Sequence, residues 1–264
     1  MRDKASFSAA EHLTNDEKLL TAHIEDMIRA ADKSFSPGFT GFLSGGEAAL
    51  AGRFLEYMGE SRFIFWGGFE GAERVILGIF PDDYSDMSER LASFPLRIVK
   101  FTGRMTGELS HRDYLGAIMS LGVERSLTGD IVCGEGCAYA VLSPAAAELA
   151  LSVSKIGRVG VKCTHASPED RVARNDSFRE ISGTVPSLRL DCVISEAAGV
   201  SRSKAAALIS SGAVSVDHRV TQSVSDNVEE GAVLSVRGVG RFILSEVGGR
   251  TKKDRIHIII KKYL

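Results

Sequence analysis

Four consecutive side chains in the C-terminal third of the chain have the chemistry to bind an anion: Ser201, Arg202, Ser203 and Lys204. Ser201 stands at the N-cap position of a predicted helix, where its hydroxyl accepts a backbone N–H. Arg202 and Lys204 fall in the first turn, where the helix macrodipole disfavours each cation by roughly a few tenths of a kcal/mol. An external phosphate would offset that cost. A solvated face that happens to be basic is the alternative, and the spacing alone leaves both interpretations open.

Two short helices and a strand must position these side chains. The first helix opens at Arg189–Asp191, where apolar residues follow at the spacing of one helix face, and it ends at Gly199. The second helix begins after Ser201 and is broken by Gly212. Residues 213–216 then alternate as a strand. The pattern therefore predicts a helix pair that runs into a β-rich tail.

This stretch resembles the S4 RNA-binding domain. The residues that carry the resemblance read RLDCVISEAAGVSRSKAAALISSGAVSVDHRV. They match the family's Arg-Leu-Asp opening, Ser-Arg-Ser step, Leu-Ile pair, glycine and Val-x-Val strand before a tight turn. The sequence departs from the family at Asp217-His218, which usually reads Asn-Gly, and at Gly231-Ala232, which usually reads Gly-Asp.

In S4 domains the basic second helix and the turn after it form one RNA-binding face, and the resemblance implies the same face here. We expect Arg189, Arg202, Lys204 and Arg219 to contact phosphates, Ser201 and Ser203 to bond sugar or phosphate oxygens, and His218 to stack or to hydrogen-bond. Such contacts read the shape of folded RNA more than its sequence.

The charge of the chain is unevenly divided. From Ser187 onward there are 12 Lys and Arg against 8 Asp and Glu, a net of +4; because the whole chain carries −2, residues 1–186 carry −6. A basic C-terminal module on an acidic body indicates that nucleic acid is bound mainly at the C-terminal end. The excess is modest, so we expect salt-sensitive binding that needs a shaped RNA surface.

Metal and membrane chemistry have little support in the sequence. Of the four cysteines only Cys133 and Cys137 are close, as C-x3-C without a second pair or a nearby His, which is a weak metal signal. Reduced thiols in a cytoplasmic protein are the simpler interpretation. The N-terminus lacks the apolar run of a signal peptide, and no segment has the length of a membrane span. We expect no metal, no cofactor and no membrane partner.

The length of 264 residues allows two or three small domains, and we expect an α+β protein. Residues 1–83 are predicted to form an N-terminal α/β domain. Its elements are a helix over 14–33, a loop over 34–41, a second helix that starts around Phe42–Glu47, and strands over 62–66 and 75–80. Gly45-Gly46 lacks the Gly-Lys-Ser/Thr ending of a phosphate-binding loop, so we interpret it as a helix-start turn.

Residues 88–166 are predicted to form a middle domain with the order βαββαβ, the ferredoxin-like arrangement that RNA-recognition motifs also use. Its strands are placed at 96–101, 131–133, 138–142 and 159–163. RNA-recognition motifs carry stacking aromatics on their central strands. Tyr139 is the one aromatic candidate there, so we expect the shape without the usual base platform.

A second resemblance, to the YlmH family of bacterial proteins, extends over nearly the whole chain. It is carried by the His-Arg-Asp-Tyr-Leu-Gly-Ala stretch that begins at His111, by Gly129–Ile131 and by Glu73-Arg74 after two glycines. Gly45-Gly46 departs from the family, which usually has Pro-Arg there. The resemblance implies binding to the large ribosomal subunit near tRNA and 23S rRNA, in quality control of stalled nascent chains, and a genetic link to cell division.

His111-Arg112-Asp113 also invites comparison with a kinase catalytic loop. The rest of the kinase signature is missing from the sequence, so we interpret Arg112 and Asp113 as surface or domain-interface residues, with Leu115, Ile118 and Met119 towards the core.

The C-terminal part, residues 187–264, is predicted to be an S4 (αL-type) domain joined to the middle domain by a linker over 172–186. Its tail is predicted to turn at Gly248-Gly249 before a last strand. The pairs Lys252-Lys253 and Lys261-Lys262 either extend an RNA surface or protect a sheet edge.

We expect a non-enzymatic, cytoplasmic, monomeric protein that binds structured RNA. The YlmH resemblance implies that this RNA is rRNA and tRNA on the large ribosomal subunit. One alternative is an RNA-modification accessory protein, as in pseudouridine synthases, but those carry S4 ahead of a catalytic domain, and we find no catalytic constellation here. A cell-division-linked RNA-binding factor, or a scaffold or DNA binder whose helix pair acts as a helix-turn-helix, is the other alternative.

Overall fold

The computed structural model describes residues 7, 11, 13–84, 86–104, 106–134, 136–166, 170, 178–217 and 219–263. These residues form two compact units, divided after residue 174. Within the described ranges, no helix is both long and apolar enough to cross a membrane.

The first unit begins with a three-stranded sheet and two helices. Its elements are α1 (Asn15–Ser34), β1 (Gly38–Leu43), α2 (Gly45–Met58), β2 (Phe63–Trp66) and β3 (Val75–Ile79). The strands are antiparallel in the order β1-β3-β2. One hydrophobic cluster, which includes Ile24, Phe54 and Leu77, packs α1 and α2 against this sheet.

Capping boxes fix where both helices begin. Thr14 and Glu17 bond each other's backbone N–H at α1, and Ser44 and Glu47 do the same at α2. Gly45-Gly46 is therefore a helix start, as the sequence predicts. The predicted loop over 34–41 is wrong in its second half, because β1 begins at Gly38 and pairs with β3.

The second part of this unit contains a four-stranded antiparallel sheet. Its elements are α3 (Met87–Ala92), β4 (Arg97–Thr102), α4 (His111–Met119), β5 (Thr128–Gly134), β6 (Cys137–Leu142), α5 (Pro144–Leu151), β7 (Lys155–Ile156), β8 (Val159–Gly160) and β9 (Lys162–His165), with 3-10 turns at Thr106–Glu108 and Arg125–Leu127. The order β5-β6-β4-β9 is that of a ferredoxin-like βαββαβ fold, which confirms the predicted fold class. The predicted strand over 159–163 is divided: β8 pairs with β7, and β9 pairs with β4.

The helices α4 and α5 cover one face of the four-stranded sheet. Tyr114 and Ile118 of α4 are fully buried there, with Leu115 and Met119 partly buried, so Tyr114 joins the predicted core residues. Asp113 bonds Ser110 and caps its own helix. This is a structural role for a residue that was predicted to lie at the surface.

The opposite face of the same sheet is largely closed by the N-terminal strands. Side chains alternate along a strand, so Val132 on β5 and Val141 on β6 point away from α4 and α5. They share a second cluster with aromatics from β1 and from the segments after β2, β3 and α3. The buried members are Phe42, Phe69, Ile76, Phe80, Phe94, Val132 and Val141. An RNA-recognition motif stacks bases on this face. The cluster therefore explains why aromatic platform residues are scarce here.

Arg74 ties the two sheets together. Its guanidinium donates to the backbone carbonyls of Phe42 at 2.8 Å, Thr128 at 2.9 Å and Arg125 at 3.0 Å. These carbonyls belong to β1, to the start of β5 and to the turn before it. Arg74 therefore provides hydrogen-bond donors to three backbone carbonyls at the point where the two sheets meet.

Asp130 completes this junction from the other side. Its carboxylate accepts the backbone N–H groups of Glu73 at 2.6 Å and Arg74 at 3.2 Å. His111 lines a small cavity of about 70 Å³ beside Glu73 and Asp130. The polar residues that carry the YlmH resemblance thus hold the chain in place. The division of this unit into domains 1–83 and 88–166 stays a prediction.

The second unit is a six-stranded antiparallel sheet with two helices on one face. Its elements are β10 (Phe178–Val185), α6 (Leu190–Ala198), α7 (Arg202–Ser210), β11 (Val214–Val216), β12 (Arg219–Val220), β13 (Val233–Val236), β14 (Gly240–Arg250) and β15 (Ile256–Tyr263). The strand order is β10-β15-β14-β13-β11-β12. Val193, Ile194 and Ile209 of the helices pack on Phe242, Leu244, Ile258 and Ile260 of the sheet.

Three predictions for this region need correction. Most of the predicted linker is strand β10, which pairs with β15 over its full length. Gly248-Gly249 lies inside β14, and the chain turns instead at residues 251–255, where Asp254 has a φ of +56°. Lys261-Lys262 do not protect an edge, because β15 lies between β10 and β14. The start of the last domain at residue 187 stays a prediction.

We predict that Arg74→Ala lowers the free energy of unfolding of the first unit by about 1–3 kcal/mol, since three backbone carbonyls, two of them partly buried, lose the Arg74 donor. Arg97→Ala is the matched control, because Arg97 is exposed and its guanidinium donates to the carbonyl of its own neighbour Leu96. Urea unfolding followed by the fluorescence of Trp66, the single tryptophan, measures both changes in this unit. Equal stability of the two variants would contradict the role of Arg74.

Candidate nucleic-acid interface

The start of α7 has the N-cap that the sequence predicts. Ser201 is extended, and its hydroxyl accepts the backbone N–H of Lys204 at 3.3 Å. The same oxygen lies 3.0 Å from the Ser203 hydroxyl. Both serines are exposed, as are Arg202 and Lys204. The hydroxyl of Ser201 therefore has a structural role, and it would have to keep this hydrogen bond while it contacts an external oxygen.

A buried carboxylate lies directly beside this helix start. Asp191, in the first turn of α6, accepts a hydrogen bond from Arg202 at 2.6 Å and one from Arg189 at 3.2 Å. Asp191 is 6% exposed. In the sequence Asp191 is the third residue of the Arg-Leu-Asp opening, and nothing in the pattern indicates that it faces Arg202 across the helix pair.

The loop before β13 fixes Asp191 in this position. The backbone N–H of Asp191 donates to the carbonyl of Val224 at 3.2 Å, and that of Leu190 donates to Asp226 at 2.8 Å. Val228 is 1% exposed and donates back to Leu188. The first turn of α6 is thus held by a loop as well as by its own helix, which limits the movement of the carboxylate.

Opposing influences set the pKa of Asp191. Burial raises it, because the charged form loses water, but hydrogen bonds from Arg202 and then Arg189 lower it by more. The net pKa lies below the ordinary value of 3.8, so the carboxylate is charged at neutral pH. In return, Asp191 holds the pKa of Arg202 above its usual range.

This ion pair corrects one step of the sequence argument. The cost of a cation at the start of α7 is offset for Arg202 by Asp191 within the protein, so an external anion is not required to explain that residue. Both arginines nevertheless remain accessible. The side chains of Arg202 and Arg189 are 55% and 42% exposed, which leaves further guanidinium N–H groups open to solvent. Lys204 is exposed and forms no ion pair within the described ranges.

The remaining predicted residues lie on the hairpin after α7. Arg219 is exposed on β12 and pairs with Val216 of β11 across the turn. Asp217, the first residue of that turn, has a φ of +45°, so a tight two-residue hairpin forms without the family's Asn-Gly. His218 lies outside the described residues. Arg189, Arg202, Ser203 and Lys204 thus lie around one helix start, and Arg219 lies on a separate element.

The middle sheet has one polar spot on its otherwise closed face. Tyr139 on β6 and Lys100 on β4 are cross-strand partners, and both bond Asp170, at 3.0 Å and 2.5 Å. The ammonium of Lys100 lies 5.5 Å from the centre of the Tyr139 ring.

Elsewhere, within the described part of the chain, no three His, Cys, Asp or Glu residues are grouped as metal ligands.

We predict that Asp191→Asn reduces amide protection in α6 and α7 at neutral pH by about 1.5–3 kcal/mol, because two charged hydrogen bonds weaken. The folded-state pKa of Asp191 lies below its unfolded value, so its contribution is present above that value and lost as the pH falls through the folded-state pKa. Wild-type protection should therefore approach that of the variant under acidic conditions below the ordinary Asp pKa.

Hydrogen exchange of peptides that cover residues 188–210 measures this difference. Asp254→Asn is the control, because Asp254 is exposed and pairs with Arg250 on the surface. A protection difference between wild type and Asp191→Asn that does not shrink in acid would contradict the role of the carboxylate charge.

Two family models match this chain. Residues 94–170 match the family described as "Putative RNA-binding domain in YlmH", and residues 188–234 match the S4 domain. The first match contains β4 to β9, and the second contains α6, α7 and the β11–β12 hairpin.

Relatives extend the likeness over the rest of the chain. The chain is 28% identical over 253 residues to the ribosome-associated protein quality control protein P2 of Bacillus subtilis (strain 168), which covers 96% of this chain and 97% of that protein. A solved structure, the cell division protein ylmH from Streptococcus pneumoniae, has 22% identity and a TM-score of 0.47, and covers 59% of this chain and 94% of that one. With both matched domains in the same chain, this protein is similar to the YlmH-like family of RNA-binding proteins.

Proposed function

We propose that this protein binds folded RNA through the α7 basic patch, defined as Arg189, Arg202, Ser203 and Lys204. The observation that carries the proposal is the anchoring of Arg189 and Arg202 by one buried carboxylate. An arginine that is already held loses less conformational freedom when it bonds a phosphate. The patch therefore offers RNA a preorganised pair of guanidinium groups beside a helix N-terminus.

The chemistry of the patch fits a phosphate backbone. A guanidinium has five N–H donors in a fixed plane, so Arg202 can bond Asp191 through one edge and a phosphate oxygen through another. Lys204 adds a charge that has no ion-pair partner to release among the residues that the structure describes. Contacts of this kind position a protein on RNA and read its shape, and they make the affinity depend on salt.

We propose rRNA and tRNA on the large ribosomal subunit as the RNA, with a role in quality control of stalled nascent chains. The support is the name of the Bacillus subtilis relative, together with a likeness that extends over 96% of this chain. The S4 match spans residues 188–234, a range that includes the four residues of the patch, and this supports the proposal. Both matched families are RNA-binding domains, and we propose a non-enzymatic factor that acts as a cytoplasmic monomer.

The test is a single charge reversal. Lys204→Glu should reduce co-sedimentation with large ribosomal subunits by roughly tenfold, since one attractive contact becomes repulsive, and it should lower the salt dependence of binding by at least about one unit of slope. Lys204 suits this purpose because its ammonium makes no contact that the fold requires. Arg202→Glu is less informative, since a second carboxylate beside Asp191 would also destabilise the helix pair.

Lys18→Glu is the matched control: Lys18 is an exposed lysine on α1, and the change in net charge is identical. Sucrose-gradient sedimentation of lysates with each variant gives the comparison. Wild type that stays at the top of the gradient would remove the ribosomal assignment and favour a free-RNA or division-linked role. Wild type and Lys204→Glu that co-migrate equally with the subunits would remove the patch as the contact.

A further inference from the structure

The sheet of the second unit has a second face, which α6 and α7 do not cover. Alternation along the strands places Phe242 and Leu244 towards the helices and their neighbours on the opposite side. The register aligns one residue from each strand on that side into a row. The pairs along it are Phe178 with Tyr263, Arg241 with Ser235, Ser235 with Ser215, and Ser215 with Val220.

The row begins with two aromatic rings that are only partly buried. The rings of Phe178 and Tyr263 meet edge to face with their centres 4.9 Å apart. Neither ring belongs to the hydrophobic core of this unit. These two adjacent rings lie on the sheet face that the helices do not cover, so they do not stabilise that core. Their exposed ring surface can contact a binding partner.

Cations lie over both rings. The guanidinium of Arg241 is 5.1 Å from the centre of the Tyr263 ring, and the ammonium of Lys261 is 5.8 Å from that of Phe178. These cation–π contacts place positive charge on one face of each ring, next to the ring surface on which a base would stack. On this face Glu180 is an acidic neighbour, opposite Lys261. Arg179 and Lys262 lie on the helix side instead, because Lys262 is opposite Phe242.

A shallow depression continues the row beyond Arg241. It has a volume of about 440 Å³ and is lined by Ser215, Ser235, Arg237 and Arg241 among others. Hydroxyl and guanidinium donors in an open depression suit sugar and phosphate oxygens. The face therefore offers, in order, a pair of rings, a group of cations and a polar groove.

From this arrangement we infer that the outer face of the C-terminal sheet binds single-stranded RNA, with bases stacked on Phe178 and Tyr263 and the backbone held by Arg241 and Lys261. The excess of cations over Glu180 favours a nucleic acid over an acidic peptide. Exposed aromatics beside basic residues on a sheet are how several single-strand-binding folds hold bases without strong sequence preference. The inference rests on the proposed RNA-binding function and adds a second contact surface to it.

The test uses the full chain and two probes: an unstructured oligouridylate and a stable RNA hairpin, each fluorescently labelled. Tyr263→Ala should weaken oligouridylate binding by about tenfold, as expected for the loss of one stacked base. Tyr263→Phe keeps the ring and should stay within about twofold of wild type. Arg241→Gln should also weaken oligouridylate binding, and Lys18→Glu, the charge-matched control on α1, should not.

A measurement on the wild-type protein makes the test independent of variant folding. An oligonucleotide that contains 4-thiouridine should cross-link to peptides that contain Phe178 or Tyr263. Three outcomes would overturn the inference: absence of oligouridylate binding by wild type, cross-links confined to α7, or loss of binding in Lys204→Glu but not in Tyr263→Ala. Hairpin binding that depends on Lys204 would leave the proposed function standing in each case, whereas hairpin binding unaffected by Lys204→Glu would count against the proposed function alone.

Discussion

The candidate interface depends on the ion pairs that the carboxylate of Asp191 forms with Arg189 and Arg202. This carboxylate is buried, so without partners it would favour the neutral form, and two guanidinium groups keep it charged. Because Asp191 lies in α6 and Arg202 in α7, the ion pair also fixes how the two helices meet. The orientation of the basic side chains at the surface therefore follows from a polar contact beneath them, and the helix pair that carries them is packed by the apolar core of the same sheet.

The first unit follows the same rule with different residues. Asp130 accepts two backbone N–H groups, and Arg74 donates to three backbone carbonyls, where its two sheets meet. Both residues belong to the stretches that carry the YlmH resemblance. Their polar groups are occupied in positioning the chain, so these two residues have a structural role. Asp113 fits the same description, because its carboxylate caps α4.

Local signals predicted the elements that depend on local contacts. Thr14, Ser44 and Ser201 mark helix starts because a cap and its helix are adjacent in the chain, and the βαββαβ order follows from periodicity. The strands that were missed exist only through a distant partner: β1 through β3, and β10 through β15, which is more than 70 residues away. The contact between Asp191 and Arg202 escaped for the same reason, since neither residue's position along its own helix reveals what it faces across the pair.

The ferredoxin-like sheet and the S4-type sheet each have one face that their own helices do not cover. These two faces have different surroundings, and this difference accounts for the side chains found on them. In the middle sheet, Val132 and Val141 meet a cluster of phenylalanines from the N-terminal strands, so that face needs apolar side chains and has little room for a bound base. In the C-terminal sheet, the corresponding side carries serines, arginines and two partly exposed rings. Solvent alone favours polar residues on a sheet face. Aromatic rings outside the core, with cations over them, are instead what we expect on a surface that stacks bases and binds phosphates, as we propose for this face.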